Sequence, residues 1–168
     1  MGKLKIMEAS AENIPDIQKI AEVAFPHAFE STLSPDQISY MMTMMYSTEA
    51  LKQQFQNKHR FFLAKMDGQF VGYCSIEHHY MQSSSTKIHK AYILPVVQKH
   101  GIGRSFFDVA SAQAIEVGDL SISLNVNKYN ENAMAFYAKY GMKNVKAEVI
   151  EIGKGFVMDD YVFLKKLS

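Results

Sequence analysis

The sequence has no tryptophan, and its 168 residues include only one cysteine, four prolines and nine glycines. Cys74 alone cannot close an internal disulfide, so a disulfide scaffold is excluded and a reducing cytoplasm is the expected location. So little proline and glycine excludes collagen-like and Pro/Gly-rich disordered chains. No apolar run approaches the ~18 residues of a membrane-spanning helix. The start, Met1-Gly2-Lys3-Leu4-Lys5, has neither the apolar stretch nor the cleavage site of a signal peptide. Gly2 makes no myristoylation signal, because Ile6 stands where that motif has Ser or Thr. Charge bias is missing too: 18 Lys and Arg offset 17 Asp and Glu, a formal charge of +1, so nothing favours nucleic acid. What is present is 48% hydrophobic and 21% charged residues, which is the make-up of a globular protein. At roughly 100–200 residues per domain the chain is expected to form one domain, 1–168. It is long enough to bury a core without a structural metal.

Two periodicities alternate. Lys3–Ala9 reads as a strand. A helix capped by Ser10 follows, with Ile14, Ile17, Ile20, Ala21, Ala24 and Phe25 on one face, and Pro26 is expected to end it. Ser34-Pro35-Asp36-Gln37 opens a second, Met-rich helix, and Ser47 or Thr48 a third. Arg60–Met66 and Phe70–His79 are strands joined by Asp67-Gly68, a tight-hairpin dipeptide. Thr86–Leu94 is a strand stopped by Pro95. A helix near Ile102–Val117, a strand at Ser121–Asn127, a helix at Asn130–Tyr140 and strands near Asn144–Ile152 and Phe156–Lys165 complete the chain. The order β α α α, β β β, α, β, α, β β predicts an α/β (α+β) fold, a mixed sheet with helices on both faces.

Two stretches carry chemistry. In Tyr92-Ile93-Leu94-Pro95-Val96-Val97-Gln98-Lys99-His100-Gly101-Ile102-Gly103-Arg104-Ser105 a strand ends and two glycines open a helix. The first amides of a helix have no internal acceptor and sit at the positive end of its dipole, which suits phosphate. A glycine turn into a helix explains the same pattern without a ligand. The nucleotide-binding patterns fail: Arg104 replaces the lysine of a Walker loop, and Phe106 the third glycine of a dinucleotide fingerprint. In the second stretch Asn130, Ala133 and Tyr137 lie at i, i+3 and i+7 on one helical face. A plain N-cap and a core aromatic account for Asn130 and Tyr137 equally well.

Together the stretches resemble the GNAT superfamily of acyl-CoA-dependent N-acyltransferases. Gln98-Lys99-His100-Gly101-Ile102-Gly103 matches its Gln/Arg-x-x-Gly-x-Gly/Ala motif. Asn130 to Gly141 matches its Asn-x-x-Ala-x-x-Phe-Tyr-x-Lys-x-Gly helix, in the family's order and spacing. The resemblance implies a single mixed, mostly antiparallel twisted sheet with splayed central parallel strands. It implies that the amides of Lys99, His100, Gly101, Ile102, Gly103 and Arg104 cradle the CoA diphosphate, with Gln98 at the mouth of the loop and Ser105 adding a hydroxyl. The backbone of Tyr92, Ile93 and Leu94 would pair with the pantetheine arm. Asn130 and Ala133 would line the cofactor from the helix, and Tyr137 would protonate the departing thiolate.

Acetyl-CoA is thus the implied co-substrate and an amine, of a small molecule or a protein, the implied acceptor. No metal is expected, since no Cys/His spacing matches a zinc site. Many family members carry a carboxylate on the strand before the loop. Here that strand reads Lys87-Ile88-His89-Lys90-Ala91, so His89 is the candidate base. Glu77, His78 and His79 are read as a solvated strand end, and Asp159-Asp160 either as charges that attract a cationic amine or as solvated surface charges. No nucleic-acid or membrane partner is expected, and a homodimer through the C-terminal strands is left open. The missing strand carboxylate keeps an alternative: a non-catalytic acyl-CoA-binding or sensor module on the same fold.

Overall fold

The computed structural model describes residues 2–168. The elements are β1 (Leu4–Glu8), α1 (Ile14–Phe29), α2 (Pro35–Tyr46), α3 (Thr48–Gln56), β2 (Arg60–Met66), β3 (Gln69–Glu77), β4 (Ser85–Ile93), α4 (Ile102–Glu116), β5 (Ser121–Asn127), α5 (Glu131–Lys139), β6 (Lys143–Gly153) and β7 (Phe156–Lys166). The strands pair in the order β1-β2-β3-β4-β5-β7-β6. Only β4 and β5 pair in parallel among the pairings described below, so the sheet is mixed, as the alternating pattern predicts. The residues fall into two compact units. One comprises the chain up to Glu77 with Lys90–Val109; the other comprises His78–His89 with Ala110–Ser168.

In the first unit β1, β2 and β3 form an antiparallel meander. Asp67 (φ 52°) and Gly68 (φ 79°) make the β2–β3 turn, the two positive angles that a tight hairpin needs. The side chain of Arg60 grips Glu8 through two bonds of 2.9 and 2.8 Å, tying β2 to β1. The Leu94 amide donates to the Val71 carbonyl (2.8 Å), holding the end of β4 against β3. Gly72 permits that approach: a Cβ there would stand 3.0 Å from the Tyr92 carbonyl and 3.2 Å from the Phe106 ring.

The helices open where the capping residues stand. Ser10 accepts from the Glu12 amide and its own amide donates to the Asn13 side chain, closing a capping box on a 3₁₀ turn before α1. Ser34 and Ser47 accept from the amides three residues on, at 3.1 Å each. One expectation fails: Pro26 does not end α1, which runs on to Phe29. An interior proline costs about 3 kcal/mol. Phe25 and Phe29, buried with ring centroids 4.8 Å apart, offset it, since burying each contributes about 1.5–3 kcal/mol.

In the second unit β4 and β5 pair from Ser85↔Ser121 to Ile88↔Leu124. Both strands run past that last pair, β4 by five residues and β5 by three. β7 lies antiparallel to β5 along its whole length, and β6 takes the outer edge beside β7. β6 is exposed over most of its length and shows two register irregularities. Such breaks discourage strand addition at an edge. No helix of the described residues is long and apolar enough to cross a membrane.

Candidate functional site

The loop after β4 belongs to the first unit. Pro95–Val97 form a single 3₁₀ turn, and Gln98 closes it in extended conformation. Lys99 (φ 72°) and Gly101 (φ 78°) then adopt left-handed backbone. Alternating handedness turns successive amides toward one side and makes an anion-binding concavity. A non-glycine residue held there stores strain of about 1–3 kcal/mol, which concentrates at functional loops. Gly101 has open space where a Cβ would lie. Gln98, Lys99, His100, Gly101 and Arg104 are exposed, Gly103 and Ser105 half-exposed, and the Ile102 side chain anchors the turn in the core. The Ser105 amide is bonded to the Gly101 carbonyl at 3.0 Å. The Ser105 hydroxyl, expected to face a ligand, donates to that same carbonyl at 3.0 Å.

Behind the loop, Tyr92, Ile93 and Leu94 are half-buried at the end of β4. The Tyr92 ring closes an aromatic group with Phe25, Phe29 and Tyr73, at centroid distances of 5.6, 6.3 and 5.7 Å. The Tyr73 and Tyr46 hydroxyls bond at 2.6 Å, and burial pushes both phenols well above their ordinary pKa. Beside them Lys90 is buried. Its ammonium donates to Gln54 (2.8 Å) over the rings of Tyr46 and Phe61, and burial pulls its pKa down to about 8. The sequence did not mark Lys90, because a lysine on a strand ordinarily faces water.

In the second unit, Asn130 caps α5. Its Oδ1 accepts from the Ala133 amide (3.2 Å), which leaves the Nδ2 hydrogens directed elsewhere. Asn130, Ala133 and Tyr137 are all half-buried, and α5 buries no residue fully. The helical face read from the sequence is therefore present, but it is half-buried rather than part of the core. The Tyr137 ring packs edge-on against Phe163 and Phe136 at 5.9 and 5.8 Å.

The histidines are more ordered than a solvated strand end. β3 stops at Glu77, so the alternation of strand residues no longer governs His78 and His79. His79 turns into left-handed backbone (φ 51°), and both rings face Asp119. The buried Asp119 carboxylate accepts from the His79 amide (2.9 Å), the His79 ring (2.6 Å) and the Thr86 hydroxyl (2.7 Å). Burial alone would raise its pKa; the His79 amide, the Thr86 hydroxyl and the His79 ring together hold it below the ordinary value. His78 shares Thr86 at 2.9 Å. Glu77, in the first unit, meets the His59 ring at 3.2 Å. His89 is half-buried, with its ring edge-on to Tyr80 at 5.6 Å. Asp160, read as a surface charge, is 4% exposed.

A model of the acetyltransferase (GNAT) domain matches residues 29–158, a span that contains both motifs. The chain belongs to the GNAT acetyltransferase family. An uncharacterised N-acetyltransferase of Mycobacterium tuberculosis is 28% identical over 156 residues, covering 90% of this chain and 98% of the relative. One from Lactobacillus delbrueckii subsp. lactis is 24% identical over 159 residues, covering 91% and 92%. Among solved structures, the PaiA N-acetyltransferase of Thermoplasma acidophilum, crystallised with coenzyme A, superposes with a TM-score of 0.81 at 20% identity, over 98% of this chain and 99% of that one. A GCN5-related N-acetyltransferase of Rhodopseudomonas palustris gives 0.83 at 17% identity, over 99% and 98%. These likenesses establish the GNAT fold, and the family's reaction is acetyl transfer.

Proposed function

We propose that this GNAT domain transfers an acetyl group from acetyl-CoA to a primary amine of a small molecule or protein. One observation carries the reading: the left-handed Lys99 and Gly101 just ahead of the α4 N-terminus, a backbone shaped for a diphosphate. Amides from Lys99 to Arg104 bind that diphosphate, with Gln98 at the mouth. The Ser105 hydroxyl braces the Gly101 carbonyl and so keeps the loop in shape. The backbone of Tyr92, Ile93 and Leu94 pairs with the pantetheine arm. Asn130 contributes its Nδ2 hydrogens, and the small Ala133 leaves room beside it.

The amine must be neutral to attack the thioester, and an imidazole titrates in the right range to accept its proton, a role assigned to His89. A backbone N–H near Tyr92 or Leu94 stabilises the developing oxyanion. Tyr137 donates its hydroxyl proton to the leaving thiolate.

Coenzyme A or acetyl-CoA should raise the melting temperature, because a ligand of the folded state stabilises it. Release of free thiol with a panel of amines then separates an enzyme from an acyl-CoA-binding or sensor module. Tyr137→Phe should lower kcat on the order of a hundredfold while CoA affinity holds. Equal kcat in the two proteins refutes the acid role.

A further inference from the structure

Asp160 is a buried ionisable side chain that the chemistry above leaves unused. It lies in β7, in register with Asn127 of β5 on one side and Glu148 of β6 on the other. That is the end of β5 from which the chain turns, through Asn130, into α5. Oδ2 of Asp160 accepts from Asn125 Nδ2 at 3.3 Å, and Oε1 of Glu148 accepts from the same nitrogen at 3.4 Å. Both bonds are longer than the ordinary range of ~2.7–3.2 Å. Oδ1 of Asp160 is shielded from solvent and has no hydrogen-bond partner. Two carboxylates thus share one neutral amide, and a buried oxygen is left wanting a donor.

The charged groups around Asp160 do not remove the deficit. From β4, Lys87 exerts a favourable charge, but its ammonium is held at Tyr80, 3.2 Å from the hydroxyl and 4.4 Å from the ring centroid. From β7 itself, Asp159 adds negative charge and is bonded to Lys128 at 2.9 Å. Glu148 adds more from β6. Burial is the largest influence, and it pushes the Asp160 carboxyl above its ordinary value. Asn125, Glu148 and Lys87 stand on the wall of a groove of about 830 Å³ that continues over Ser123, Val162 and Ile150. That volume suits a small molecule, and the mixed lining suits an apolar body with a polar end.

We propose that Asp160, Glu148 and Asn125 form a subsite for a primary ammonium group, and that it receives the charged end of the acceptor. An ammonium has three N–H donors and one positive charge. It replaces the two long amide bonds with charge-assisted ones, which are roughly twice as strong as neutral ones. Its positive charge also stands beside the carboxylate whose Oδ1 is buried without a partner. The body of the molecule then lies in the groove along β5 and β7. As the seat of the acceptor this subsite rests on the acetyl transfer proposed above; as a cation site it stands on the geometry of β5, β6 and β7.

The test uses n-butylammonium chloride as probe on the full chain, with 1-butanol and sodium chloride at equal ionic strength as controls. A saturable rise in melting temperature is expected with butylammonium and with neither control. Asp160→Asn should weaken it at least tenfold and Glu148→Gln severalfold, whereas Glu151→Gln, on the exposed outer part of β6, should leave it unchanged. In protein labelled at aspartate carboxyls, the Asp160 signal should move on titration with the probe. Retention of the full response in Asp160→Asn, or an equal response to sodium chloride, overturns the subsite. Coenzyme A is titrated on the same samples. A normal CoA response certifies that each variant is folded. A wild type that ignores CoA but binds butylammonium defeats the acetyl-transfer reading and leaves the cation site standing.

Discussion

Replacing Lys90 with methionine should make this protein more stable at neutral pH and less dependent on pH. The lysine stem lies in the core of the first unit, and its ammonium has Gln54 Oε1 at 2.8 Å with the Tyr46 and Phe61 rings 5.6 and 5.7 Å away. Burial pulls its pKa to about 8, against about 10.4 in an unfolded chain. The direction follows from proton counting. Below pH 8 both states hold the proton, and the folded state bears the full penalty of a buried charge. Between about 8 and 10.4 the unfolded chain still holds a proton that the folded protein has lost, so stability rises with pH across that window. A separation of about 2.4 in pKa, at about 1.4 kcal/mol per pH unit, is a penalty of about 3 kcal/mol. Methionine fills a similar volume without charge, while Gln54 loses a donor at a cost of about 1 kcal/mol. The net gain at pH 7 is about 2 kcal/mol, or about 4–8 °C for a chain of this length. Because there is no tryptophan to report unfolding, urea melts followed by circular dichroism from pH 6 to pH 10 are the assay. The advantage of Lys90→Met should shrink steadily above pH 8. A constant difference across the range, or a variant weaker than wild type at pH 7, refutes the reasoning.

Three other substitutions and probes follow from the same structure. Asp119→Ala strands the His79 amide and ring and the Thr86 hydroxyl, and should cost about 3 kcal/mol in a urea melt. Since Asp119 is held below its ordinary pKa, its contribution is complete above pH ~4 and is lost as pH falls below that; the variant should therefore show a flatter acid limb. Cys74 is buried with its thiol pushed up to about 12, so a disulfide reagent should modify it only as fast as the protein opens, and fast labelling of native protein contradicts this. Gly101→Val forces a β-branched residue into left-handed backbone at about 1–2 kcal/mol, and should weaken coenzyme A binding about tenfold or more by calorimetry while the melting temperature changes by only a few degrees.

The elements that were legible in the sequence are those with local causes. Ser34 and Ser47 cap helices, Asp67-Gly68 turns a hairpin, and alternation at Ile122, Leu124 and Val126 marks β5. The glycine turn into α4 and the face of α5 were legible too, because spacing along one turn or one helix places their residues without help from elsewhere. Pro26 misled because its local penalty is outweighed by the packing of Phe25 and Phe29 against Tyr92, which lies far outside any local window of sequence. The histidine pair misled for a related reason. A left-handed residue at position 79 breaks the strand and lets both rings reach an aspartate 40 residues on.

The residues alone determined where helices and strands begin, which turn carries glycines, and that Asn130, Ala133 and Tyr137 share one face. Each of these depends on neighbours a few positions away, through backbone sterics and hydrogen bonds. Tertiary structure decided the electrostatics. Whether Lys90 is solvated or buried, whether Asp160 is a surface charge or a buried carboxylate with one oxygen unpartnered, and whether Asp119 is a loop residue or the anchor of two histidines all turn on the dielectric and the donors supplied by distant strands. A charge reports its surroundings, and those are assembled only when the sheet forms.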